Sequence, residues 1–183
     1  MDTIETDRLS LRNFKPQDAT DLFAYLHRPT ASCFLSMALE DMQAAEDEAR
    51  KRSQDDEHIA VCLRQTGQVI GDVFAVQEED TFSIGWNFNP AFGGQGYALE
   101  AARAMIADLF TNRNARRLYA YVEDHNRPSR RLCERLGMRM EGMFLEFVSF
   151  LNDADGEPIY ENTGQYALLR KEWEALEKGR STS

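Results

Sequence analysis

Residues Asn89–Ala101, NPAFGGQGYALEA, hold three glycines within four positions and then no more. Helical spacing begins where the glycines end, with apolar side chains at Ala98, Ala102, Met105, Ile106 and Leu109. Just upstream, TFSIGWNF alternates, placing Phe82, Ile84, Trp86 and Phe88 on one side as in a strand. The order is therefore strand, glycine loop, helix. Glycines let a backbone approach an anion closely, and a helix start offers free N–H groups at a positive dipole end. The loop suits a pyrophosphate without needing a lysine; an ordinary strand-to-helix turn is the alternative. Two common phosphate loops do not fit. The Walker pattern lacks its lysine near Gly96, and G-x-G-x-x-G, started at Gly94, ends on Leu99 with Arg116 and Arg117 where an acid is wanted.

The rest of the chain sets limits. Its 183 residues fit one domain, read as 1–175 with a polar tail over 176–183, and 43% hydrophobic residues suffice for a core. No apolar run suits a bilayer, and MDTIETDRLS has no apolar leader, so no membrane role is expected. Cys33, Cys62 and Cys133 are odd in number and widely spaced. They suggest neither a disulfide framework nor a metal site, and they fit a reducing cytoplasm. The 21 Lys and Arg against 31 Asp and Glu give a net charge of −10. Such a surface repels nucleic-acid phosphates and suits a cationic substrate, although acidity also serves solubility.

Periodicity and turn residues give the order β-α-α-β-β-β-α-β-α-β-β. Strands joined by short turns pair antiparallel, and the two strands followed by helices form a parallel step. The fold class is a mixed α/β (α+β) sheet with flanking helices. NRPSRRLCERLGM forms a short helix with Leu132, Cys133 and Leu136 on its apolar side and a glycine stop at Gly137.

The strand, FGGQGYALEA and NRPSRRLCERLGM, in that order, resemble the GNAT superfamily of N-acetyltransferases. IETDRLSLRNFKPQDATDLF at the start and QYALLRKEW at the end resemble its RimJ/RimL-like branch, over roughly residues 3–173. The resemblance implies a mostly antiparallel sheet with a splayed strand pair, and acetyl-CoA as co-substrate without a metal. It aligns the family's Q/R-x-x-G-x-G/A loop on Gly93, Gly94, Gln95, Gly96, Tyr97 and Ala98, with Gly93 replacing the usual Gln or Arg. Trp86, Asn87 and Phe88 match the splayed strand, whose backbone pairs with the pantetheine arm and polarises the thioester carbonyl. Asn126 matches the asparagine that reaches that arm. Cys133 stands where many members carry a tyrosine acid, while the branch's serine corresponds to Ser129.

Each residue also has a plainer role. Ser129 can serve the first turn of its helix, Cys133 the core, and Trp86 the strand's packing. Arg127, Arg130 and Arg131 either balance CoA phosphates, Arg131 being the one assigned to the cofactor, or form a solvated face. The amine's proton goes to a carboxylate, or a water held by one, with Glu146 and Glu161 as candidates that otherwise serve as ordinary strand-face charges, or it goes to solvent. The expected activity is direct acetyl transfer to a primary amine, a protein N-terminus or a small molecule, by a monomer or homodimer. A non-catalytic acyl-CoA-binding module and a nucleotide-binding protein are the alternatives.

Overall fold

Strand β1 (Ile4–Glu5) folds back on β2 (Leu9–Asn13), whose Leu9 and Leu11 are fully buried. This computed structural model describes residues 2–181. Two helices follow, α1 (Ala19–Leu26) and α2 (Met42–Arg52), the second capped by Asp41, whose carboxylate accepts from the Ala44 N–H. Then come β3 (His58–Leu63), β4 (Val69–Glu78), β5 (Thr81–Phe88) and α3 (Tyr97–Thr111). The chain continues through β6 (Arg117–Glu123), α4 (Arg127–Leu136), β7 (Arg139–Asn152), β8 (Pro158–Leu169) and α5 (Arg170–Ser181).

The sheet has eight strands in the order β1-β2-β3-β4-β5-β6-β8-β7. The pairs β1–β2, β2–β3, β3–β4, β6–β8 and β8–β7 are antiparallel, and β5–β6 is the parallel step expected of strands that lead into helices. The mixed, mostly antiparallel sheet with flanking helices is thus present, with two additions to the element order. Strand β1 is too short to announce itself by periodicity. Helix α5 extends through most of the stretch expected as a polar tail, of which residues 182 and 183 lie outside the described residues. Its Trp173 stacks on Phe110 at 5.2 Å between ring centroids.

The described residues divide into two compact units. The first runs up to Ala75 and includes Gly85–Met105; the second comprises Val76–Ile84 and the chain from Ile106 onward. In the first, Leu22 and Leu26 of α1 and Ala45 and Ala49 of α2 cover Ala60, Cys62 and Val69 of the sheet. A polar network is buried among them. Tyr25 donates to Asp72 (2.8 Å), Arg52 pairs with Asp72 (3.3 Å), and Arg52 also donates to Glu48 (2.8 Å). Burial, then the Asp72 charge, holds the Tyr25 phenol well above its usual value. In the second unit, Leu118, Ala120 and Val122 of β6 are buried, as are Leu132, Cys133 and Leu136 of α4. Helix α4 ends on Gly137 at φ +83°, the left-handed stop its sequence suggested.

Candidate functional site

The glycine loop belongs to the first unit. Asn89 accepts from the Ala91 N–H and starts a short 3-10 turn, Pro90–Phe92, which Gly93 closes with φ −64°. Gly94 and Gly96 then take φ +75° and +82°, a region that costs other residues dearly. Tyr97 opens α3. Among the described residues, the N–H groups of Gly94 through Leu99 donate to no backbone carbonyl. Gly93, Gly94, Gln95 and Gly96 are exposed, while Tyr97 and Ala98 are half-buried. Unpaired donors at a helix start, on glycines that leave the backbone bare, fit an anionic phosphate.

Arg8, not foreseen as a site residue, braces this loop. Its guanidinium donates to the Gln95 carbonyl (2.9 Å) and to Glu100 (2.7 Å), and it lies 4.5 Å from the Tyr97 ring centroid. Glu100 also accepts from the Thr6 hydroxyl (2.6 Å) and the Arg8 N–H (2.9 Å). Burial would raise the Glu100 pKa; the Thr6 and Arg8 bonds outweigh it and hold the carboxyl below its usual value. The signal lay in TDRL at residues 6–9, a cation in the first turn of the chain, but nothing local ties it to residue 100.

Strand β5 approaches the loop from the same unit. Gly71 of β4 makes room for it, since a Cβ there would lie 2.5 Å from the Asn87 carbonyl. On the other edge, β5 pairs with β6 only over Thr81–Ser83 against Arg117–Tyr119. The ladder does not use the backbone of Gly85–Phe88, the stretch with Trp86, Asn87 and Phe88. The Asn87 amide nitrogen is buried with no partner among the described residues, a donor available to a carbonyl.

Asn126, Ser129, Arg131 and Glu146 lie in the second unit. Asn126 caps α4 by accepting from the Ser129 N–H (3.2 Å). Arg131 is exposed, whereas Arg130 donates to the Asp124 carbonyl and to the Tyr166 hydroxyl. Cys133 is fully buried, and desolvation pushes its thiol up to about 12. Glu146 stands exposed on a bulge in β7 at φ +49°. Its N–H donates to Asn162, whose amide donates to Asp124 (3.2 Å), tying the bulge to the turn before α4. Each unit therefore gathers its own group: the loop and the end of β5 in one, the start of α4 and the β7 bulge in the other.

Residues 8–139 match the acetyltransferase (GNAT) domain family. The chain is 31% identical over 173 residues to YnaD of Bacillus subtilis (strain 168), described as an uncharacterized N-acetyltransferase, covering 93% of this chain and 98% of that one. A crystal structure of a GNAT-family acetyltransferase from Bacillus anthracis superposes with a TM-score of 0.83 at 26% identity, over 93% and 99% of the two chains. The ribosomal-protein-S5-alanine acetyltransferase of Vibrio fischeri shares the fold, at TM-score 0.72 and 14% identity over 94% and 99%.

Proposed function

The chain belongs to the GNAT family of acetyltransferases, and we propose that it moves the acetyl group of acetyl-CoA directly onto a primary amine. The observation that carries this reading is the Gly94–Leu99 run of unpaired N–H groups, set behind the open edge of β5. In this reading the loop backbone at Gly93, Gly94, Gln95, Gly96, Tyr97 and Ala98 binds the pyrophosphate. The strand backbone at Trp86–Phe88 orients the pantetheine arm and offers an N–H to the thioester carbonyl. Asn126 and Arg131 add contacts to the arm and the phosphates.

Ser129 gives a proton to the departing thiolate, with water as the substitute donor. Cys133 takes no covalent part, because its buried thiol stays protonated at neutral pH. Glu146, hydrated on its bulge, passes the amine's proton to water. The motifs at both ends of the chain favour the RimJ/RimL-like branch. They leave open protein N-termini and small amines as acceptors, in a cytoplasmic setting. No described helix is long and apolar enough to cross a membrane.

The test is CoA-thiol release from acetyl-CoA against a panel of peptides and small primary amines. Amine-dependent release supports transfer. Thermal stabilisation by CoA without turnover on any amine would favour the acyl-CoA-binding module instead, a reading to which the bare Gly93 lends its support.

A further inference from the structure

Buried carboxylates in this chain fall into two kinds. Asp18 is bound by Arg12 (2.7 Å) and Asp72 by Arg52 and Tyr25. Glu123, at the end of β6, is 5% exposed, and its carboxylate has no cation or hydrogen-bond donor among the described residues. Its oxygens are not sealed from solvent, so they stay open to a cationic ligand. Directly opposite Glu123 in the sheet is Thr163 of β8, 2% exposed, whose hydroxyl is buried with no partner among the described residues. Opposite Thr163, on its other side, is Phe144 of β7.

Opposed residues point to the same face. Glu123, Thr163 and Phe144 thus form one row across three strands. Tyr121, two residues before Glu123, shares that face and is held by the Gln165 amide (3.1 Å). The β7 bulge brings Phe147 back to it, so that Tyr121, Phe144 and Phe147 cluster at 5.0–6.1 Å between centroids. Gly142, in the next row, leaves open space where a side chain would stand.

We propose that Glu123 and Thr163, walled by Tyr121, Phe144 and Phe147, receive the acceptor's ammonium group. A carboxylate and a hydroxyl oxygen accept its N–H bonds, and the ring faces attract the cation and its neighbouring methylenes. This rests on the acetyl-transfer reading above and names its substrate class: a primary ammonium on an apolar carbon chain with no carboxylate beside it. The carboxylates of Glu123 and of Glu161, two residues before Thr163 on the same face, repel a zwitterion. Glu123 takes the first proton from the ammonium, leaving a neutral amine, and the proton that Glu146 passes to water is the second, lost as the amide forms. A C–N bond forms at the acetyl carbonyl and the C–S bond breaks. The second proton lost by nitrogen balances the one taken up by the thiolate sulfur.

The test pairs Thr163→Val with Glu123→Gln, using butylamine and norvaline, which is the same chain with a carboxylate beside the amine. Thr163→Val removes a hydroxyl that has no partner among the described residues, so it leaves stability unchanged or raised. We expect it nonetheless to raise the butylamine KM, and its Kd by calorimetry, about 10-fold. Glu123→Gln lowers kcat/KM for butylamine by about 10²-fold or more, with the acetyl-CoA Kd unchanged in both variants. Norvaline reacts far more weakly than butylamine with wild type. Wild-type amine kinetics in both folded variants, or equal use of norvaline, would overturn the proposal. If wild type transfers no acetyl group at all, the acetyl-transfer reading fails instead. The butylamine Kd of Thr163→Val against wild type then still decides this site.

Discussion

Gly96 holds φ +82°, and a Cβ there would lie 3.6 Å from the Arg8 guanidinium, an ordinary contact. Space is available; the backbone conformation is what a side chain would not share. Gly96→Ala costs about 1–2 kcal/mol in that conformation. On an exposed loop this strain is relieved by moving the N–H groups out of register. The acetyl-CoA Kd should rise by about tenfold or more in a variant whose circular dichroism is unchanged, and an unchanged Kd would remove this backbone from the cofactor site. Ser129 and Cys133 make opposed predictions. Ser129→Ala lowers turnover about 10²–10⁴-fold with little effect on acetyl-CoA binding, whereas Cys133→Ala keeps turnover and loses stability. A folded Cys133→Ala without activity, beside an active Ser129→Ala, would reverse the assignment. Burial pushes the Cys62 thiol up to about 11 and Cys133 to about 12. Alkylation of the native protein at pH 8, mapped by peptide mass, should therefore spare both.

At the scale of elements, most of the order was legible because period and punctuation agreed. The strand over 81–88, the glycine loop and the helix stop at Gly137 all lie where their residues indicated. What escaped was long-range. The Arg8–Glu100 brace and the Glu123–Thr163 pairing join residues far apart in sequence, and β7 carries three register shifts that its simple alternation hides. Sequence reasoning singled out Glu146 and Glu161 as carboxylates but passed over Glu123, whose burial follows only from the β6–β8 register. The Tyr25–Asp72–Arg52–Glu48 network was equally invisible, since α1, α2 and β4 supply one or two members each. Breaking a buried pair by removing one partner costs about 3–5 kcal/mol. Asp72→Leu should reach that range in urea denaturation, and Tyr25→Phe only about 1 kcal/mol; equal effects would mean that the ion pair does not hold the helices. Glu100 adds a pH dependence. Its folded pKa lies below its ordinary value of 4.5, so its contribution is full above that pH and is lost as acid passes through the lower, folded value. Glu100→Gln should flatten that part of the acid limb of thermal stability.

For the whole molecule, the charge of −10 sets the long-range field. A cationic acceptor is drawn in at low salt, and the attraction is screened as the Debye length shrinks from about 30 Å at 0.01 M to about 8 Å at 0.15 M. The KM for a cationic amine should rise several-fold over that range, and that for an uncharged acceptor should not. The most direct test of the account is a single-turnover experiment with acetyl-labelled acetyl-CoA, quenched with and without a primary amine. Direct transfer predicts that the label appears on the amine, one equivalent for each CoA thiol released, and never on the protein. Label on Cys133 before amine is added, or CoA release with no label on any amine, would contradict it.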